Sequence, residues 1–510
     1  MADRAGSALH DLTAALDSIQ SHLGIWFGPI GGYDQSQVRI ATGKAAGMEI
    51  TSNGRYFCIA GKNYSKLLGD TMLEYQKDYG INYFKLDGIA FGCNEPDHGH
   101  PVGIYSDEAT ARTFIGMLER LRAQEPKVFL NITTSIWLSP WWLRYADTVW
   151  MGGADSGYLP SVPTMAQRQS AISYRDSVLY DDFVTHHAQF PISSLMTHGI
   201  IKGQANMLGG NKEQIEDFRD EVVHYYSVGN MMYELYISPD ILSPEEMDVL
   251  GNVTKWAMAN AHPLLDNSTM VGGDPAKREP YGYVHSMPAK SIITLRNPFV
   301  RPQTMKLRID EQNGFQKFEG MQTLSVEYPS TGLQRFFKFG DTITFDLDAY
   351  EQMVAELQPW DVRVEYGAVA EEPRPQVTFS AAHTVKRDEN TLTVVARVDV
   401  PNDYQRARLA VLWEPEQEVR GVKAEAVDAG APLSLSTENG GRGVWYWYWA
   451  DLTPGPHSVE VTIPSGAPAH ISCWLITRRH SRDINPFGPL PSEDVLQRGT
   501  QLLLEETIRK

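Results

Sequence analysis

Three cysteines in 510 residues, Cys58, Cys93 and Cys473, are too few and too far apart for a disulfide framework, and their spacing is not that of a zinc site. No apolar run in the sequence approaches the roughly 18 residues that a transmembrane helix needs. Basic residues are in deficit: 45 Lys and Arg stand against 63 Asp and Glu, a formal net charge of −18. That balance argues against nucleic acid and anionic membranes as partners. The first residues, MADRA, lack the charged-then-apolar layout of a secretory signal. No phosphate-binding or metal-site signature marks a barrel isomerase or lyase. Gly (42) and Pro (30) are near average, which excludes a collagen-like or broadly disordered chain.

What is present is enough apolar content, 42%, for real cores, in a chain long enough for two to four domains. Residues 82–88, NYFKLDG, read as a short buried strand that ends in a lysine and a carboxylate. A (β/α)8 barrel presents its chemistry at such C-terminal strand tips. Around it, strands are expected at 23–29, 127–133, 148–152, 190–196 and 230–237. Helices are expected at 6–22, 63–79, 107–124, 212–227 and 244–260, with a short helical connection at 138–146 and a glycine-rich loop to about residue 60. Ser243-Pro244-Glu245-Glu246 suits a helix start. Strand–helix alternation implies a parallel sheet with helical crossovers. Six strands are two short of a closed barrel, and the two are missing at the N-terminal end. The expected fold is therefore an α/β barrel of the TIM type without its first two strands, over residues 1–278. A small antiparallel β domain follows at 279–366, then a Pro-containing acidic linker at 367–375. A second β-sandwich spans 376–480, and the tail at 481–510 carries a helix at 492–508.

Two carboxylates stand at strand ends of this barrel, Asp87 and Asp155. Acids on neighbouring tips can face each other across a pocket, as glycoside hydrolysis requires. One attacks the anomeric carbon and the other protonates the leaving oxygen. Lys85 would favour an ionised Asp87, and an apolar surround such as Trp150 would keep the acid protonated. Trp137 reads as an aromatic wall for a sugar ring, and Trp141 and Trp142 as core. His98 and His100, in Asp97-His98-Gly99-His100, read as a solvated loop at the pocket mouth, because no third metal ligand is marked. His186, His187 and His198 share that ambiguity; His198 follows a strand end and is assigned to substrate contact. Cys93 could line the pocket, with nothing to mark it as a nucleophile. Trp445-Tyr446-Trp447-Tyr448-Trp449 alternates strictly, so one face fills a sandwich core and the other is a candidate carbohydrate platform.

The stretch YFKLDG resembles the nucleophile strand of the α-galactosidase-type glycosidases, clan D, families 27 and 36. WMGGAD is similar to the W-R-x-x-x-D of those families, with the arginine position taken by Met151. ELYISPDILSPEEMDVL is similar to their last barrel strand and places Asp240 near the pocket rim. LGIWFGP, with Trp26, resembles an earlier strand. The resemblance covers about residues 20–265 and the small β domain after them. It implies a retaining exo-glycosidase, without metal or cofactor, acting on terminal α-galactosides or α-N-acetylgalactosaminides. Asp87 would be the nucleophile and Asp155 the acid/base. Lys85, Trp26, Trp137, Trp150, Asp240 and His198 would touch an oligosaccharide or glycoconjugate substrate. The loop Thr133-Thr134-Ser135-Ile136-Trp137 falls where those families select between the two sugars. Their first two strands have no counterpart here, so the chain is expected to be truncated or to start late, and such a start would hide a secretory signal. The rival expectation is an inactive or incomplete barrel that serves as a glycan-binding protein.

Overall fold

The computed structural model of the chain describes residues 2–133, 137–154, 157–164, 166–203, 208, 213–329, 332–359, 382–402, 406–440, 444–465, 467–478 and 487. Asp155, residues 134–136, the linker at 367–375 and the tail helix expected at 492–508 lie outside the described residues.

Five short strands form a parallel sheet in chain order: β1 (Gly24–Phe27), β2 (Tyr83–Asp87), β3 (Phe129–Thr133), β4 (Thr148–Trp150) and β5 (Leu195–Met196). The alternation of β2 decides what each face does. Phe84 and Leu86 are fully buried, packed with Leu130, Ile132 and Val149 against the helices. Tyr83, Lys85 and Asp87 point to the opposite, half-open face. Helix α1 (Ala2–Asp17) precedes the first strand, α2 (Ser36–Ala45), α3 (Lys62–Tyr79) and α4 (Ile104–Gln124) lie between strands in sequence, and Met72, Leu118 and Leu121 of α3 and α4 complete this core.

A separate two-stranded parallel sheet follows, β6 (Ile200–Lys202) with β7 (Leu235–Ile237). Among the described residues no strand pairing joins β7 to β1, so the expected barrel appears as two parallel sheets and not as a closed ring. Two expected strands are shorter than their apolar runs. Pro191, which has no N–H to give a ladder, leads into a 3-10 turn at Ile192–Ser194, and pairing begins only at Leu195. The run 230–237 pairs from Leu235 onward. The loop expected up to residue 60 contains α2, whose only buried residue is Ile40, so it shows almost no apolar periodicity.

Helices α5 (Gln167–Tyr180), α6 (Ile215–Ser227), α7 (Pro244–Ala259) and α8 (Ala261–Asp266) complete the α/β part. Helix α7 starts where Ser-Pro-Glu-Glu indicates. Ser243 Oγ accepts from the Glu246 N–H at 3.1 Å, and Glu246 Oε2 accepts from the Ser243 N–H at 2.8 Å, a reciprocal cap.

Eight strands come next: β8 (Ser268–Gly272), β9 (Tyr281–Met287), β10 (Lys290–Arg296), β11 (Gln303–Arg308), β12 (Gln322–Tyr328), β13 (Gly332–Phe337), β14 (Thr342–Leu347) and β15 (Gln352–Pro359). Six of them form an antiparallel sheet, β13-β12-β15-β10-β9-β8, and β11 pairs with β14. The sheet takes in β8, which precedes residue 279, because Ser268–Gly272 zips along β9. Its Ile292 and Val354 pack on Phe218, Val222 and Trp256 of α6 and α7. Tyr281 and Tyr283 donate to the buried Asp176 of α5 at 2.5 and 2.7 Å, which ties the sheet to the helices.

The last nine strands are β16 (Ala382–Arg387), β17 (Leu392–Val400), β18 (Arg406–Pro415), β19 (Glu425–Asp428), β20 (Ala431–Leu433), β21 (Ser436–Asn439), β22 (Tyr446–Leu452), β23 (Gly455–Ile463) and β24 (Ala469–Arg478). They make a five-stranded and a four-stranded antiparallel sheet around one core. The aromatic strand corrects an expectation. Tyr448 fills that core, while Trp445 and Trp447 pack with Trp474 on Val300, Ala349 and Tyr350, in the β10–β11 and β14–β15 connections of the preceding β domain. Both faces are buried, so neither is open as a carbohydrate platform.

One contact of this sandwich is sensitive to pH. Tyr158 donates its hydroxyl to Glu438, and burial raises the Glu438 carboxyl from its ordinary 4.5 to about 7. A raised carboxyl favours the protonated folded state, so folding is penalised progressively as pH climbs from the unfolded value through the folded one. Glu438→Gln removes that penalty. It should raise the melting temperature above pH 7 and leave it unchanged near pH 4, read by thermal melts across that range. An equal shift at both ends would show that the charge is not the cause.

Candidate active site

The half-open face of β2 looks into a pocket of about 990 Å³ at the strand tips. Trp26 of β1, Lys85 and Asp87 of β2, and Thr133 of β3 come from adjacent strands in register, Trp26 opposite Lys85 and Asp87 opposite Thr133. Residues from the other sheet close the far side, Glu234 and Tyr236 among them. Much of the wall is aromatic or apolar, including Ile25, Tyr83, Trp150, Met196 and Met232. Directly after Asp87 the chain leaves the strand at Gly88, whose φ of 100° is open to glycine and strained for other residues.

Asp87 is held by three donors. Trp26 Nε1 donates to Oδ2 at 3.0 Å, Tyr33 OH to Oδ1 at 3.3 Å, and Thr133 Oγ1 also to Oδ1. These donors come from three separate elements, and Trp26 and Tyr33 remain about half exposed.

Lys85 does something other than expected. Its Nζ donates to Glu234 Oε1 at 2.6 Å and to the Tyr236 hydroxyl, and Tyr236 in turn donates to Glu234 at 2.7 Å. The ammonium lies 5.1 Å from the Tyr236 ring centroid. Lys85 therefore pairs with Glu234 across the pocket, a partner that the sequence did not suggest. Burial, reinforced by Glu234, pushes the Tyr236 hydroxyl up, and burial pushes Tyr83 up to about 12. Both phenols stay protonated at neutral pH. His198 places Nδ1 3.9 Å from Glu234 Oε2, with its ring edge-on to Trp150 at 5.7 Å. Among the described residues, Trp150 Nε1 is buried without a hydrogen-bond partner.

So Asp87, Lys85, Trp26, Trp150 and His198 share one pocket. Trp137 does not line it; it is 56% exposed and rests edge-on against the buried Trp142 at 5.7 Å. Trp141, expected in the core, is 42% exposed. Asp240 is exposed on a 3-10 turn, Pro239–Ile241, that begins after β7 ends, outside the pocket lining. Met151 is buried in the core, so it offers nothing in place of the arginine of the resembled pattern. Glu234, Tyr236 and Tyr33 are the residues that sequence reasoning missed as site members; Thr133 was named only in the loop likened to a sugar-selecting one. Thr133 had a signal, since it ends the strand beside β2. Tyr33 had none, because a loop delivers it; Glu234 directly precedes β7, in the stretch likened to a last barrel strand.

No family profile matches the chain, and no curated protein matches it. Its structural neighbours include α-galactosidases and α-amylases. The galactosidase domain of the α-galactosidase–sucrose kinase AgaSK is 13% identical with a TM-score of 0.48, covering 69% of this chain and 45% of that one. The family 36 α-galactosidase AgaA from Geobacillus stearothermophilus is 10% identical with a TM-score of 0.45, covering 69% and 46%. An α-amylase from Geobacillus thermoleovorans, complexed with acarbose, is 12% identical with a TM-score of 0.46, covering 70% and 81%. The chain spans less than half the length of those α-galactosidases. Likenesses at this level carry no conclusion about chemistry, which rests on the pocket itself.

The loop after β2 holds a second correction. His98 is buried and not solvated, and Cys93 is buried beside it and does not line the pocket.

Proposed function

We propose that this chain is a retaining glycosidase that acts on terminal α-galactosides or α-N-acetylgalactosaminides, with Asp87 as nucleophile and Asp155 as acid/base. The observation that carries the reading is the Asp87 carboxylate, oriented by Trp26, Tyr33 and Thr133 at one end of a pocket with aromatic walls. A nucleophile must be fixed toward the anomeric carbon, and donors from three elements serve that end. Aromatic faces suit the apolar faces of a sugar ring. Glu234, Tyr236 and Lys85 form a polar cluster of the kind that binds hydroxyl groups, and the Trp150 N–H is a further donor. Attack by Asp87 forms a glycosyl ester as Asp155 protonates the departing oxygen. Water then cleaves the ester with Asp155 as base.

The test is turnover of aryl α-galactoside against aryl α-N-acetylgalactosaminide, with mass spectrometry after exposure to an activated fluoro-sugar. A glycosyl adduct on the Asp87 peptide supports the proposal; turnover with an adduct elsewhere sinks it. Trp26→Phe retains a ring and removes the N–H to Asp87. A charge-assisted hydrogen bond is worth about 1.5–3 kcal/mol, so kcat/KM should fall roughly tenfold to a hundredfold.

The second reading is a glycan-binding protein without turnover. The unclosed sheets favour it, as does the lysine already engaged by Glu234. It predicts sugar affinity that Asp87→Asn leaves unchanged.

A further inference from the structure

We propose that Cys58, Cys93, His98 and His100 bind one structural zinc ion that pins the loop following Asp87. Two thiols and two imidazoles converge here, and one donor atom from each lies within 4.8 Å of all the others. Cys58 Sγ is 3.1 Å from His100 Nε2, and Cys93 Sγ is 3.4 Å from His98 Nδ1. Tetrahedral zinc holds sulfur at about 2.3 Å and nitrogen at about 2.0–2.1 Å, which sets its donor atoms roughly 3.3–3.8 Å apart. The observed contacts are close to that spacing before any adjustment.

The donor chemistry selects the metal. Thiolate and imidazole suit zinc, whereas calcium and magnesium take oxygen ligands. No disulfide joins the two cysteines, and both are almost completely buried, at 1% and 2% exposure. Four protein ligands leave no open position, which makes the site structural and not catalytic.

The surroundings orient the ligands. His100 Nδ1 lies 2.8 Å from the Pro101 carbonyl, so the Nδ1–H donates there and the Nε2 lone pair faces Cys58. A ring nitrogen fixed by a carbonyl is the usual companion of a zinc-bound histidine. Ser52 Oγ stands 4.0 Å from Cys93 Sγ and accepts from the Asn94 N–H at 2.6 Å. Cys58 follows the Ile50–Phe57 bridge, while the other three ligands lie in the loop between β2 and α4. The ion would therefore staple two segments separated by α3 and β2, a few residues beyond Asp87. This inference does not depend on the glycosidase reading.

The full chain, purified without chelator, should carry stoichiometric zinc by elemental analysis. A mercurial that attacks thiolates should release it to a colorimetric chelator. Cobalt exchanged into the protein should show thiolate charge-transfer absorption and tetrahedral d–d bands. Cys58→Ser and Cys93→Ser should lose the metal, and Cys473→Ser, whose sulfur lies in the last sandwich, should retain it. If the cysteine variants do not fold, the wild-type release and cobalt spectra decide alone. Absence of zinc together with absence of a cobalt–thiolate band overturns the proposal, as does a Cys58–Cys93 disulfide in the native protein.

Discussion

Asp87→Asn should abolish turnover, with a loss of at least about 10³-fold in kcat, while substrate still binds. The amide keeps the shape of the carboxylate; its oxygen can accept from Trp26 while its NH2 donates to the Thr133 hydroxyl, so the pocket should remain folded. What it loses is the anionic oxygen that forms the glycosyl ester. Small nucleophiles such as azide or formate should restore partial turnover in an alanine variant at this position, because they can occupy the vacated space and attack in its place. Rescue would yield product of opposite anomeric configuration to the wild type, a readout that a damaged fold cannot mimic. Measured turnover in Asp87→Asn within tenfold of wild type would remove Asp87 from the chemistry. Wild-type sugar affinity with no turnover in either protein would establish the binding reading.

The centre of this site was legible in sequence for a simple reason. Lys85 and Asp87 are two residues apart on a strand flanked by Phe84 and Leu86, so period-2 alternation puts both on the face away from the core. Trp26 was legible by the same argument on the neighbouring strand. The partners were not, because pairing across a pocket depends on tertiary approach. Glu234 captures Lys85 from 149 residues further along the chain, just before a strand that is shorter than its apolar run. Tyr33 arrives from a glycine-rich loop with no periodicity. The zinc ligands were hidden likewise: Cys58 is 42 residues from His100, and no short-range spacing links them. In the sandwich the alternation of tryptophan and tyrosine was read correctly. The burial of both faces was not, since it comes from a neighbouring β domain that covers the tryptophan side.

Glu221→Ala should cost the α/β part about 3–5 kcal/mol, the usual loss when one partner of a buried ion pair is removed. Glu221 of α6 is fully buried and accepts from both Arg168 and Arg175 of α5. Burial alone would raise its carboxyl; Arg175 and Arg168 outweigh that and hold it below the ordinary value. A lowered carboxyl contributes stability above its unfolded value and loses it as pH falls through the folded one, so wild type should weaken in acid while the variant should not follow. Removal of Glu221 strands two guanidiniums in the interior. Arg168 would still have Glu213 at 2.8 Å and the Ile201 carbonyl at 3.0 Å, but Arg175 would be left with the Gly199 carbonyl at 3.2 Å and the Tyr225 ring at 5.9 Å, neither of them charged. The consequence reaches the pocket, because Gly199 directly follows His198 and leads into β6. Glu221→Ala should therefore raise KM as well as lower the melting temperature, whereas Glu221→Gln, whose single amide oxygen can accept from only one of the two guanidiniums, should lose stability with a smaller change in KM. Chemical denaturation at neutral pH measures the first effect. A loss below about 1 kcal/mol would mean that Glu213 and Glu246, which share Lys202, take over both guanidiniums.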